Sequence, residues 1–130
     1  MESAAFSNEY LVVEGRNRKV RVFPIPATAS ATTVTGAAAV AGHKLRLVGW
    51  EAVVNPALSA QFKESSAGAG ISPVFTWNIV TAGTGGVRWT APLLSAGYGD
   101  TAAGKGIDVV TSAVTGGSIS GYGFFVDLDE

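Results

Sequence analysis

The sequence predicts an all-β protein: a single antiparallel β-sandwich of about eight or nine strands, with no helix beyond a turn or two. Three observations carry this expectation. Apolar residues recur with period two over short runs, most clearly in Ile107–Thr111 and Ser118–Leu128, the mark of strands with one buried face. Turn-forming clusters interrupt the runs about every 8–12 residues. Glycine supplies 17 of the 130 residues, nearly twice its usual share of about 7 %, and Val, Thr and Ser are abundant, which suits short strands joined by tight turns.

Composition narrows the function classes. A chain of this length fits one domain burying roughly two-thirds of its unfolded surface. Charged residues make up 15 % and the formal net charge is -1, so no global field steers the chain to nucleic acid or to a membrane surface. The apolar content argues against disorder. There is no cysteine, hence no disulfide framework and no thiolate site. No apolar run approaches the ~20 residues of a spanning helix, and Met1–Phe6 lacks the basic start and apolar stretch of a signal peptide.

In chain order, Met1–Asn8 reads as a loosely tied terminus. Tyr10–Glu14 and Lys19–Phe23 are short strands flanking Gly15–Arg18, which has turn composition. In the following stretch Pro24 and Pro26 withhold N–H donors, so the chain there is expected to be an edge strand, an arm or a crossing between sheets. Ala27–Ala41 favours strand at Thr32–Thr35, because Gly36 and Gly42 bound too short a stretch for a stable helix. Lys44–Val54 alternates at first and then becomes apolar on both sides, as a strand entering the interior does. Ala60–Glu64, Val74–Val80 and Val87–Thr90 are further strands, the second placing Phe75, Trp77 and Ile79 on one face. A Gly-rich loop then leads to the two period-2 runs around Gly116–Gly117, expected to pair as a hairpin that forms the spine of the sandwich. Gly121 and Gly123 leave one face of the last strand bare, with room for another backbone or a large aromatic ring.

Residues that carry chemistry are sparse. His43 is the single histidine; beside Gly42 at a strand start it reads as a surface residue, and a triad would need a carboxylate and a nucleophile converging on it. Glu51, next to Trp50, is expected to be partly buried in a salt bridge to a neighbouring strand. Asp127, Asp129 and Glu130 read as a solvated tail rather than a calcium site. Gly83–Gly86 and Gly104–Gly106 lack the helix and spacing of a phosphate loop. No catalytic residue, cofactor or metal ligand is therefore assigned, and the chain is expected not to be an enzyme. Trp50, Trp77, Trp89, Tyr98 and Tyr122 admit two readings. Core and interface packing is favoured; the other is a sugar-stacking platform around Trp89 and Tyr98.

Gly42–Val54, the loop Pro92–Gly99, Ala102–Val109 and Ile119–Val126 together resemble small jelly-roll proteins of tailed-phage virions. The likeness lies in a Gly-Lys-small-aliphatic strand, here Gly104–Ile107, followed by Ser-Gly-aromatic in the last strand, here Ser120–Tyr122. It covers about residues 42–127. The resemblance implies a jelly-roll sandwich and the role of a capsid decoration, or cement, protein. Such a protein binds the major capsid protein across capsomers on the virion surface as a homotrimer, is assembled in the host cytoplasm, and engages neither nucleic acid nor membrane. The alternative is a carbohydrate-binding or fibre-associated jelly-roll module of the virion.

Residues 1–26 lie outside the resemblance and are expected to form an N-terminal arm or edge hairpin, with 27–130 as the sandwich domain. The first segment holds four of the nine basic residues, Arg16, Arg18, Lys19 and Arg21, suited to charge-assisted hydrogen bonds to acidic groups on a partner. Tyr10, Leu11, Val13 and Phe23 would supply apolar anchors.

Overall fold

The computed structural model describes residues 9–29, 32–55, 59–65, 68–76, 87–111 and 118–130. Every strand pairing among them is antiparallel, and none of these residues is helical. In chain order the strands are β1 (Tyr10–Val13), β2 (Arg16–Lys19), β3 (Arg21–Ala29), β4 (Thr32–Ala37), β5 (Leu45–Asn55) and β6 (Ser59–Glu64). They continue as β7 (Phe75–Thr76), β8 (Val87–Ala91), β9 (Gly99–Asp100), β10 (Ile107–Thr111) and β11 (Ser118–Asp127). The excess over the expected number comes from β2, in a stretch whose composition reads as a turn, and from β9, a two-residue ladder too short to leave a period in the sequence. Trp77, Ile79 and the Gly116–Gly117 turn lie outside the described residues.

Two sheets enclose the core. One is four-stranded, in the order β4-β10-β6-β7; the other runs β3-β11-β5-β8, with β9 pairing β5 beside β8. Their facing sides bury one cluster that includes Phe23, Ile25, Leu45, Leu47, Trp50 and Ile119 from the second sheet and Phe62, Ile107 and Val109 from the first. Phe62 ties the layers together, with ring centroids 6.2 Å from Phe23, 5.0 Å from Trp50 and 5.3 Å from Trp89. An aromatic group that meets three rings across the gap gains ring-pair attraction beyond simple area burial.

The expected C-terminal hairpin is not formed. β10 lies between β4 and β6, whereas β11 lies between β3 and β5 in the opposite sheet. Alternation had identified the correct faces: Ile107 and Val109 are buried in the core and Ile119 meets them from the other side. A period of two says which residues share a face, but both flanks of each run were already occupied by other strands, and nothing in the pattern names those neighbours. The bare face of β11 does serve close approach. A Cβ on Gly123 or on Gly36 would overlap the Phe23 ring, and one on Gly121 would strike the backbone of Glu51.

β5 changes character midway because of a bulge. Phe124 pairs with Gly49 and Phe125 with Leu47, so Val48 has no residue opposite it in β11. Leu47 and Trp50 consequently both face the core, while Val48 turns to the outer side.

That outer side is covered at one end by the β1–β2 hairpin. The turn is two residues long and not the expected Gly15–Arg18: Glu14 (φ 50°) and Gly15 (φ 77°) form the loop, and Arg16–Lys19 is strand. Two consecutive positive φ values give a turn whose twist matches the flanking strands, which Gly tolerates freely and Glu only at some cost. Val13 and Val20 pack on Val48 and Val126, with Leu11, Leu93, Phe124 and Leu128 around them. The arm boundary expected at residue 26 falls inside β3, which pairs with β11 from Arg21 to Ala29 as the edge strand of its sheet. Of the placements the prolines allowed, the edge is the one adopted.

Candidate functional site

The N-terminal hairpin is a third layer pinned at two points. Arg18, only 8 % exposed, donates from Nε to the Val13 carbonyl at 3.0 Å and from Nη1 to the carbonyls of Leu128 (2.8 Å) and Asp127 (3.2 Å). At the turn, Glu14 accepts from Arg46 Nη2 at 2.8 Å. Arg46 also holds both Asp100 oxygens, at 2.7 and 2.9 Å, and the Ser95 carbonyl at 3.2 Å. Those hydrogen bonds to Asp100, more than the one to Glu14, raise the guanidinium above its already high pKa.

This arrangement divides the residues singled out as partner-binding. Val13 is fully buried in the outer cluster and Phe23 in the main core, so neither is a surface anchor. Arg18 spends its donors on the chain's own carbonyls. Leu11 is half-buried on the cluster that seats the hairpin. Arg21 is ion-paired to Glu130, Nε to Oε1 at 3.2 Å and Nη2 to Oε2. Tyr10, Arg16 and Lys19 remain on the surface, Tyr10 directly opposite Lys19 in the ladder. Val12, at 63 % exposed beside Tyr10 at 54 %, completes an apolar pair on the outward side. Simple alternation carried that signal, since Leu11 and Val13 facing inward sends Tyr10 and Val12 outward.

Elsewhere two polar features stand out. His43 Nδ1 lies 2.7 Å from Asp127 Oδ2, and Asp127 Oδ1 accepts from the Asp129 backbone N–H at 2.9 Å. Asp127 is 8 % exposed and His43 33 %, so the acid expected in a solvated tail is instead sequestered. Its hydrogen bond raises the His43 pKa above 6.5, against the opposing effect of desolvation. Among the described residues no hydroxyl hydrogen-bonds this imidazole, and no group of three potential metal ligands converges. The dyad clasps the start of β5 to the end of β11; with Arg21, Val40, Phe125 and Glu130 it borders a cavity of about 380 Å³. Glu51 is half-buried as expected, but it makes no ion pair among the described residues.

The aromatics fall mostly on the side of packing. Trp50 and Trp89 are 4 % and 6 % exposed, with centroids 5.0 Å apart, and Trp50 is 4.9 Å from Tyr98. The three rings, with Pro73 and Pro92, border a cavity of about 450 Å³. Tyr98 donates to the Pro92 carbonyl at 2.7 Å, and burial raises its phenol pKa. Tyr122 lies on the outer face of the sheet, 41 % exposed. Comparison with protein-family models, curated proteins and solved structures finds no match.

Proposed function

We propose that the protein is a non-enzymatic structural component of a tailed-phage particle: a jelly-roll cement protein that sits on the capsid surface and binds the major capsid protein across capsomers. The reading begins from the resemblance carried by Gly104–Ile107 and Ser120–Tyr122. The observation that carries it at the surface is the hairpin's outward side, with Tyr10 at 54 % and Val12 at 63 % exposure beside exposed Asn17 and half-buried Lys19. Arg18 and Glu14 anchor this patch from behind, so presenting it to a partner costs little ordering entropy. An aromatic and an aliphatic anchor flanked by the Lys19 ammonium suits an apolar spot with an acidic neighbour. On this reading the protein self-associates, as a homotrimer by the same resemblance.

The test is decoration of empty capsids from the same phage, followed by co-sedimentation and immunogold labelling. Val12→Asp and Tyr10→Ser, both at exposed positions, are expected to leave folding intact and abolish decoration. Undiminished decoration by both variants would overturn the docking site, and absence of label on the capsid would overturn the role.

A second reading, a carbohydrate-binding or fibre-associated module, draws on the cavity bordered by Trp50, Trp89 and Tyr98. A glycan array is its test. Because Trp89 is buried, the informative variant is Tyr98→Ala, and specific sugar binding lost in that variant would favour this reading.

A further inference from the structure

The hairpin covers only one end of the outer face of the β3-β11-β5-β8 sheet. Beyond it, registered rows of side chains cross the strands in the open. One row is Pro24, Tyr122, Glu51 and Thr90; the next is Ser120, Val53 and Arg88. Tyr122 is 41 % and Val53 46 % exposed. A notch of about 150 Å³ lies between them and Arg88. Glu51 and Arg88 are the charged groups of these rows, diagonal to each other on neighbouring strands, and neither forms an ion pair among the described residues.

We propose that this open sheet face binds a second copy of the same chain, with Glu51 of one copy meeting Arg88 of the next around an apolar centre of Tyr122 and Val53. The charge pattern selects the occupant. A partner surface of one sign would match one of these two groups and repel the other, whereas a second copy carries both signs at the same spacing and satisfies both. The apolar centre supplies the area that a lone exposed ion pair lacks. At its other end the same sheet already uses this solution within one chain, where Val13 and Val20 cover Val48 and Val126. The inference rests on the self-association proposed above, and assigns to it a reciprocal two-fold contact, on a surface distinct from the hairpin patch, in place of the trimeric one that the resemblance implies.

Sedimentation velocity at micromolar concentrations separates the outcomes. Wild-type protein is expected to sediment as an oligomer of the 13.2 kDa chain. Glu51→Arg and Arg88→Glu, each alone, should weaken association at least tenfold through like-charge contact. An equimolar mixture of the two variants should associate again, because each retains the charge that the other needs; a pair acting only within one chain would show no such rescue. Circular dichroism melts establish that the single variants fold, and Val53→Lys gives a second route to the same face if either does not. If the wild type associates and all variants associate equally, self-association stands and this face is wrong. Loss in the single variants without rescue on mixing overturns the charge pairing. A wild type that remains monomeric throughout overturns the self-association and this inference together.

Discussion

Phe23 of β3 lies over Gly123 of β11, its ring occupying the space that a Cβ on Gly123 would fill. The same ring passes Gly36 and contacts Phe62 edge-on at an interplanar angle of 83°. Two glycines on different strands thus form the seat for one aromatic at the centre of the molecule.

Gly123→Ala is therefore expected to destabilise by overpacking, by about 1–3 kcal/mol. Urea unfolding measures it. Coupling it with Phe23→Leu, which removes the obstructing ring edge, should cost less than the sum of the two single changes, because the residues share one volume.

Phe62→Ala deletes the ring that links the sheets, at 0 % exposure. The expected loss is about 3–5 kcal/mol, a large part of the roughly 5–15 kcal/mol that holds a domain folded. Thermal melting should show a much lowered Tm or no cooperative transition.

Arg18→Met keeps the stem volume and removes the donors to Val13, Asp127 and Leu128. Stranding buried carbonyls costs about 1–3 kcal/mol. Hydrogen exchange should quicken in β1 and β2 well before it quickens in β5 or β11, since the hairpin is the layer this residue fastens.

His43 gives the fold a pH dependence of defined sign. Its folded pKa is raised above 6.5 by Asp127, so the stability it contributes is full below about pH 6.5 and is lost as the pH rises through the folded value. Tm should fall on moving from mildly acidic to mildly alkaline buffer. His43→Gln, which keeps a donor but does not titrate, should flatten that slope, and NMR titration of the single imidazole reads the shifted pKa directly.

Asp108 adds a pH dependence of the same sign at lower pH. It is 3 % exposed, its Oδ1 has no hydrogen-bond partner among the described residues, and burial raises its carboxyl pKa above 3.8. A raised carboxyl favours the fold only when protonated, and the advantage disappears as the pH rises through the folded value. Asp108→Asn should stabilise the protein at pH 7 and lose that gain near pH 4, by thermal melts at both values.

Much of the architecture was legible in local chemistry. The glycines of β11 predicted close approach of a backbone or an aromatic ring, and the pattern of β5 predicted a strand entering the interior. Partnership was not legible. β10 and β11 were assigned to each other because they are neighbours in sequence, yet each hydrogen-bonds strands far away in the chain. In the hairpin, Arg18 resembled its neighbours Arg16 and Lys19 in charge, and only the position of the C-terminal carbonyls made it internal. The Asp127–His43 contact spans 84 residues, a separation over which a sequence carries no periodic signal. Tyr10 and Val12, by contrast, follow from alternation once the turn is placed at Glu14–Gly15.

The prolines of β3 have a consequence for the edge they occupy. Pro24 and Pro26 each remove an N–H donor from β3, and Pro26 lies where the ladder to β11 shifts register. β11 lies along one side of β3, and the other side is the rim of the sheet. A foreign strand approaching that rim would find a ladder interrupted at two donors, so the sheet's extension by strand addition is disfavoured along β3.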